Sequence, residues 1–208
     1  MTEPLKIGVL LSGSGTNLQA IIDAVAADGL PVDIVSVVSS RPDAFGIERA
    51  RAANIPCVAL NRDVYADPLA ADAKIVDVMR EAGAEYLVMA GYMRKLTPVV
   101  LDAYPNRVLN LHPALLPAFP GAHAIQEAYD YGVKTTGVTV HFANEDYDKG
   151  PIIAQEPVRV EEGWTCDDLE AAIHAVEHGL YQRVLRDLAE GRVHLTDDGK
   201  VRIDAPEK

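Results

Sequence analysis

The chain alternates short, continuous apolar runs with longer stretches in which apolar residues recur every three to four positions. "KIGVLLS" (6–12) has the unbroken apolar character of a strand buried on both faces. "TNLQAIIDAVAADG" (16–29) sets Leu18, Ile21, Ile22 and Val25 on one helical face and stops at Gly29. The alternation continues with a strand at "VDIVSVVSS" (32–40), a helix over 43–54 and a strand at "PCVALN" (56–61). A helix over 67–83 follows, with Pro68 in its first turn, then a strand at "EYLVMAG" (85–91). "TPVVLDAY" (97–104) predicts a short helix with Thr97 as N-cap, and "NRVLNLH" (106–112) a strand that runs into a proline-rich loop. Beyond it come a helix near 122–131 and strands at 134–143 and 151–160. The longest helix covers 165–191, with Thr165 as cap and acids in its first turn. The tail "DAPEK" (204–208) is expected to fray.

This order predicts an α/β fold with a mostly parallel central sheet flanked by helices. Such sheets bind ligands beyond the carboxyl ends of strands. The loops to watch are therefore 12–17, 91–96, 112–123 and 143–150. The length of 208 residues suits one domain, or two halves sharing a core. The net charge of -12 disfavours nucleic acid and anionic membranes as partners, although local donors can still hold a small anion. Cys57 and Cys166 stand far apart with no C-x-x-C pair, which fits a reducing cytosol. No apolar run approaches the length of about 18 residues that a membrane span needs.

Four stretches carry candidate chemistry. "LSGSGTN" (11–17) joins the first strand to the first helix through Gly13 and Gly15, and a helix start favours phosphate. It is neither a full G-x-G-x-x-G nor a P-loop, because Leu18 replaces the third glycine and no lysine follows. Ser39, Ser40 and Arg41 stand where a ribose-binding acid would end the second strand. A plain strand-to-helix turn accounts for the loop equally well. In "NLHPALLPAFPG" (110–121), Asn110 and His112 project to one face of a strand while Leu109 and Leu111 take the other. An amide beside an imidazole can stabilise an oxyanion and carry a proton; a polar strand end with a satisfied histidine is the alternative. Pro113, Pro117 and Pro120 are expected to stiffen the loop, so that both side chains meet one oxygen without reorganising. "HFANEDYDKGP" (141–151) is a solvated acidic loop, or brings a carboxylate beside His112 that favours the imidazolium. Its acids lack matching His or Cys spacing, so no metal is expected. Glu177 and His178, unaided, read as helix surface.

"LSGSGTNLQAII", "MAGYMRKL", "NLHPALLPAFPG", "GVTVHF" and "DYDKGPIIAQ", in this order, resemble the folate-dependent formyltransferases, and among them the phosphoribosylglycinamide formyltransferase family of purine synthesis. The resemblance runs from about residue 5 to 195. It implies a Rossmann-like formyltransferase fold forming a single domain over 1–208. About 1–105 would be a phosphate-binding half and about 106–208 a catalytic and folate-binding half. The family's catalytic asparagine, histidine and aspartate match Asn110, His112 and Asp148. Gly15, Thr16 and Asn17 match its phosphate loop, and Glu177 its glutamate near the glycinamide. Met93, Arg94, Lys95 and Leu96, with Asn110, Asp148 and walls at 143–148, match the folate site. The implied reaction moves the formyl group of 10-formyltetrahydrofolate onto the amine of 5'-phosphoribosylglycinamide. It needs no metal, nucleic acid or membrane, and the family likeness points to a cytoplasmic monomer or homodimer.

The chain departs from the family at three places. Pro68 stands where an arginine often helps hold folate, with Arg62 as a substitute; Ala114 replaces the usual serine; and Lys95 is polar where an aliphatic residue is common. The alternatives are a 10-formyltetrahydrofolate hydrolase, whose extra N-terminal domain this length leaves no room for, and a formyltransferase acting on another amine such as an amino sugar nucleotide. A methionyl-tRNA formyltransferase would add a basic C-terminal domain. A dinucleotide oxidoreductase or a binding module fits the glycine and Asn–His–Asp patterns less well.

Overall fold

The structure, a computed structural model, describes residues 3–206; the last two residues of the tail lie outside the described residues. The chain parts into two compact units between Asn110 and Leu111.

The first unit opens with β1 (Leu5–Leu11), α1 (Thr16–Ala27), β2 (Val32–Ser39), α2 (Gly46–Ala52) and β3 (Cys57–Ala59). A 3-10 turn (Val64–Ala66) leads into α3 (Pro68–Glu81), followed by β4 (Tyr86–Met89), α4 (Pro98–Ala103) and β5 (Val108–His112). β1 lies between β2 and β4, paired in parallel with both, and β2–β3 and β4–β5 are parallel too. The continuous apolar run of β1 is explained by this central place, for Ile7, Val9, Leu10 and Leu11 are fully buried. Each such side chain contributes about 1.5–3 kcal/mol relative to exposure. Leu18, Ile21 and Ala24 form the buried face of α1, while Ile22 and Val25 are half-buried.

Two helix starts are capped by side chains, at Thr97 as predicted and at Asp67, which the pattern did not single out. The Asp67 side chain accepts from the Leu69 and Ala70 amides ahead of Pro68, and Thr97 accepts from Val99. α2 is shorter than predicted because residues 43–45 form a turn that delivers Gly46 against α1. A Cβ on Gly15 would stand 2.6 Å from the Gly46 Cα, and Gly15 has φ +71°. Only glycine fits both conditions.

The second unit contains α5 (Ala124–Tyr131), β6 (Thr135–Phe142), β7 (Ile152–Arg159) and α6 (Cys166–Ala189). It ends in a hairpin of β8 (Val193–Leu195) and β9 (Val201–Ile203). The strands of the first unit follow the order β3-β2-β1-β4-β5, and in the second β7 is antiparallel to β6. α6 begins with a capping box in which Thr165 and Asp168 satisfy each other's backbone amides. Leu169, Ile173, Leu180, Val184 and Leu188 of α6 are buried at helical spacing. The hairpin is an element the periodicity did not predict. Arg192 holds it to the end of α6, pairing with Asp187 and donating to the Asp204 carbonyl.

Candidate active site

In the first unit, Ser12 ties three strand ends together. Its hydroxyl lies 2.6 Å from the Ser40 hydroxyl and accepts from the Met93 amide at 2.8 Å, and its own amide donates to the Gly91 carbonyl. Loop 12–17 is thereby fixed to the segment 91–93. Gly15 precedes α1 in left-handed conformation, and no side chain caps the helix. A helix start of this kind favours an anion. Arg49 of α2, which the sequence reading did not single out, donates to the Ser14 carbonyl at 2.9 Å and brings a cation beside this loop.

Of the residues expected to hold folate, Met93, Arg94 and Lys95 are exposed and Leu96 is buried. Beneath them the Tyr92 and Tyr65 hydroxyls meet at 2.8 Å, and the Arg94 guanidinium lies 4.4 Å over the Tyr65 ring. Burial, with the Tyr65 contact adding to it, pushes the Tyr92 phenol far above its ordinary range. The buried Asp72 carboxylate accepts from the Thr97 amide, and burial raises its pKa. The cation fixed near the start of α3 is Arg94, stacked on the 3-10 turn that precedes Pro68. Asn110 is half-buried on β5, paired in register with Met89, and precedes His112 by two residues on that strand.

In the second unit three buried titratable groups converge. His112 Nε2 lies 2.8 Å from the Phe119 carbonyl, so this nitrogen carries a proton and donates it. His112 Nδ1 faces Asp148 Oδ2 at 3.5 Å, an ion-pair distance longer than a direct hydrogen bond. The same oxygen accepts the Gly121 amide at 2.8 Å. On the other side of the carboxylate, His141 Nε2 lies 3.8 Å from Asp148 Oδ1, and His141 Nδ1 donates to the Phe142 carbonyl at 3.0 Å. Desolvation is the largest influence on His141 and lowers its pKa, against the raising pull of its backbone hydrogen bond and Asp148. Asp148 sits at φ +54°, a left-handed conformation that aspartate tolerates better than most side chains. The sequence expectation of a carboxylate beside His112 is met in geometry by Asp148. The expectation of a frame needing no reorganisation is not, because the Nε2 proton is already taken by Phe119.

The stiff exit after His112 has a buried anchor. Thr139 Oγ1 donates to the Ala114 carbonyl at 2.7 Å and accepts from the Leu116 amide and the Gln155 amide. Ala114 is fully buried, so its methyl group fits where a hydroxyl would need a further partner. Glu177, read unaided as surface, is buried on α6 and bonded to His174 Nδ1 at 2.8 Å. Among the described residues no group of three or more His, Cys, Asp or Glu is placed to hold a metal ion. No helix among them is long and apolar enough to cross a membrane.

Residues 5–185 match the sequence model of the formyl transferase family. The chain belongs to that family. A phosphoribosylglycinamide formyltransferase of Haemophilus influenzae is 38% identical over 193 residues, 93% of this chain and 91% of that protein. A trifunctional purine biosynthetic protein adenosine-3 of Chironomus tentans is 40% identical over 194 residues. That match takes in 92% of this chain, which spans only 14% of the trifunctional protein. Glycinamide ribonucleotide transformylase 1 from Symbiobacterium toebii superposes with a TM-score of 0.93 at 44% identity, covering 98% of this chain and 95% of that one. Membership gives the chain a reaction class, transfer of a formyl group.

Proposed function

We propose that this chain transfers the formyl group of 10-formyltetrahydrofolate to the primary amine of 5'-phosphoribosylglycinamide, giving the N-formyl product and tetrahydrofolate. The observation that carries the reading is the buried His112–Asp148 pair at the end of the strand that bears Asn110. The substrate phosphate would be met by Gly15, Thr16 and Asn17 at the uncapped start of α1. Glu177 would face the amine end. Met93, Arg94, Lys95 and Leu96, with Asn110 and Asp148, would hold the pterin. The amine attacks the formyl carbon, forming a new C–N bond and a tetrahedral oxyanion. Asn110 and His112 would donate to that oxygen, with Asp148 orienting the imidazole. A proton then moves from the attacking nitrogen to N10, through His112 or a water, and the C–N10 bond breaks. The donor His112 has to offer is the Nε2–H held by Phe119, so catalysis exchanges that carbonyl for the reacting oxygen.

No nucleic acid or membrane enters this scheme. The free thiols of Cys57 and Cys166 suit a cytoplasmic enzyme. The test is loss of formyl from 10-formyltetrahydrofolate with and without phosphoribosylglycinamide. Turnover only with the amine is expected. Turnover without it would instead make water the acceptor.

A further inference from the structure

Glu170, His174, Glu177 and His178 follow at i, i+4, i+7 and i+8 on α6 and so form one polar stripe. Exposure falls along it. The side chains of Glu170 and His174 are 52% and 42% exposed, that of Glu177 only 5%. His174 Nδ1 lies 2.8 Å from Glu177 Oε2, and His174 Nε2 lies 3.4 Å from Glu170 Oε1. The next side chain, His178, has a buried Nε2 with no hydrogen-bond partner among the described residues. A carboxylate in this degree of burial is disfavoured as an ion unless a donor or cation faces it. Two histidines and a buried acid on one face, with a ring nitrogen left over, suit a polar ligand better than they suit packing.

From this stripe we infer that His174 is a positioning residue for the amine substrate: by donating to Glu177 it holds that carboxylate in one rotamer for the substrate's ammonium or amine end. The inference rests on the reading that Glu177 faces that end of phosphoribosylglycinamide. An ammonium is bound best by an acceptor already held in place, and a Glu177 free to rotate would bind it weakly. The Glu177 hydrogen bond, the largest influence on His174, raises its pKa, which favours a charged partner for the carboxylate. Of the charged groups on neighbouring elements, Glu156 of β7 is held by Arg183 of α6, and Asp130 of α5 accepts from Gln126.

The test is steady-state kinetics of wild type, His174→Ala and His174→Asn, varying each substrate. Alanine suits a half-exposed helix position, so the fold should stand. His174→Ala should raise KM for phosphoribosylglycinamide roughly 10- to 100-fold, the range for losing a charge-assisted hydrogen bond. KM for the formyl donor and kcat should stay near wild type. Asparagine can donate from the place of Nδ1 and should restore most of the loss. An unchanged KM in His174→Ala, or an equal rise for both substrates, overturns the inference. An asparagine variant as weak as alanine overturns the hydrogen bond as its cause. A wild type that formylates no phosphoribosylglycinamide overturns the reading beneath it, a result distinct from the other three.

Discussion

At the scale of single residues, the proposed chemistry rests on side chains whose partners are fixed by tertiary contact. His112→Asn and Asp148→Asn should each lower turnover by about 100-fold or more while the fold survives. Circular dichroism with a formyl-transfer assay checks both at once, and near-wild-type turnover in either variant would remove these residues from the reaction. Thr139 is a structural counterpart. Its hydroxyl serves Ala114, Leu116 and Gln155 and is fully buried. Thr139→Val keeps the shape but strands these groups, and should cost about 1–3 kcal/mol of stability. A chemical denaturation midpoint equal to that of wild type would contradict it. The sequence exposed Asn110, His112 and Asp148 through their motif but not what they touch. Phe119 contributes a backbone carbonyl, which no side-chain pattern can signal. His141 lies on a strand with no exposed face from Thr136 to Phe142, so alternation gave no cue to its direction. His174 escaped because a histidine in a helix reads as surface until Glu177 is seen to be buried.

At the scale of elements, the long apolar runs and the capped helices were legible because local rules and burial agree there. Thr97 and Thr165 mark helix starts where the chain makes them. The hairpin of β8 and β9 was missed although Asp198-Gly199 lies between two alternating stretches, a strong hairpin signal. Its strands have only three residues each, too short for period to register. The start of α2 was misjudged for another reason, since Gly46 is placed by its contact with Gly15 rather than by propensity. That contact makes a test. Gly15→Ala meets both a left-handed backbone and the Gly46 Cα, and should destabilise by about 2 kcal/mol or more, as the left-handed conformation alone costs about 1–2 kcal/mol. A melting temperature unchanged by this substitution would show that α1 and α2 can separate freely.

Across the whole molecule, buried histidines give stability a predictable dependence on pH. His141 and His178 have lowered pKa values, each with burial as the largest cause. Unfolding raises their affinity for protons, so their contribution is complete above the ordinary value of 6.5 and is lost as pH falls below it. His174 acts in the opposite sense. Its raised value contributes stability below 6.5 that fades as pH climbs through the folded value. Thermal melts from pH 8 to pH 5 should therefore show a decline on the acid side, and His141→Gln should flatten it. An acid limb unchanged in that variant would assign the decline to other groups.

The loop after β5 is held differently at its two ends. Near His112 it is tied to Thr139 and Gln155, whereas Phe119 and Gly121 are held by His112 and Asp148 themselves. In isotope-exchange terms, the Leu116 amide should be slow whatever the state of the reacting side chains. The Gly121 amide should exchange only as fast as Asp148 lets go of it, and so faster in His112→Asn if the imidazole helps to steady that carboxylate. A single backbone deuteron at Gly121 would then clock the departure of the Asp148 carboxylate from its resting place, without any substrate present.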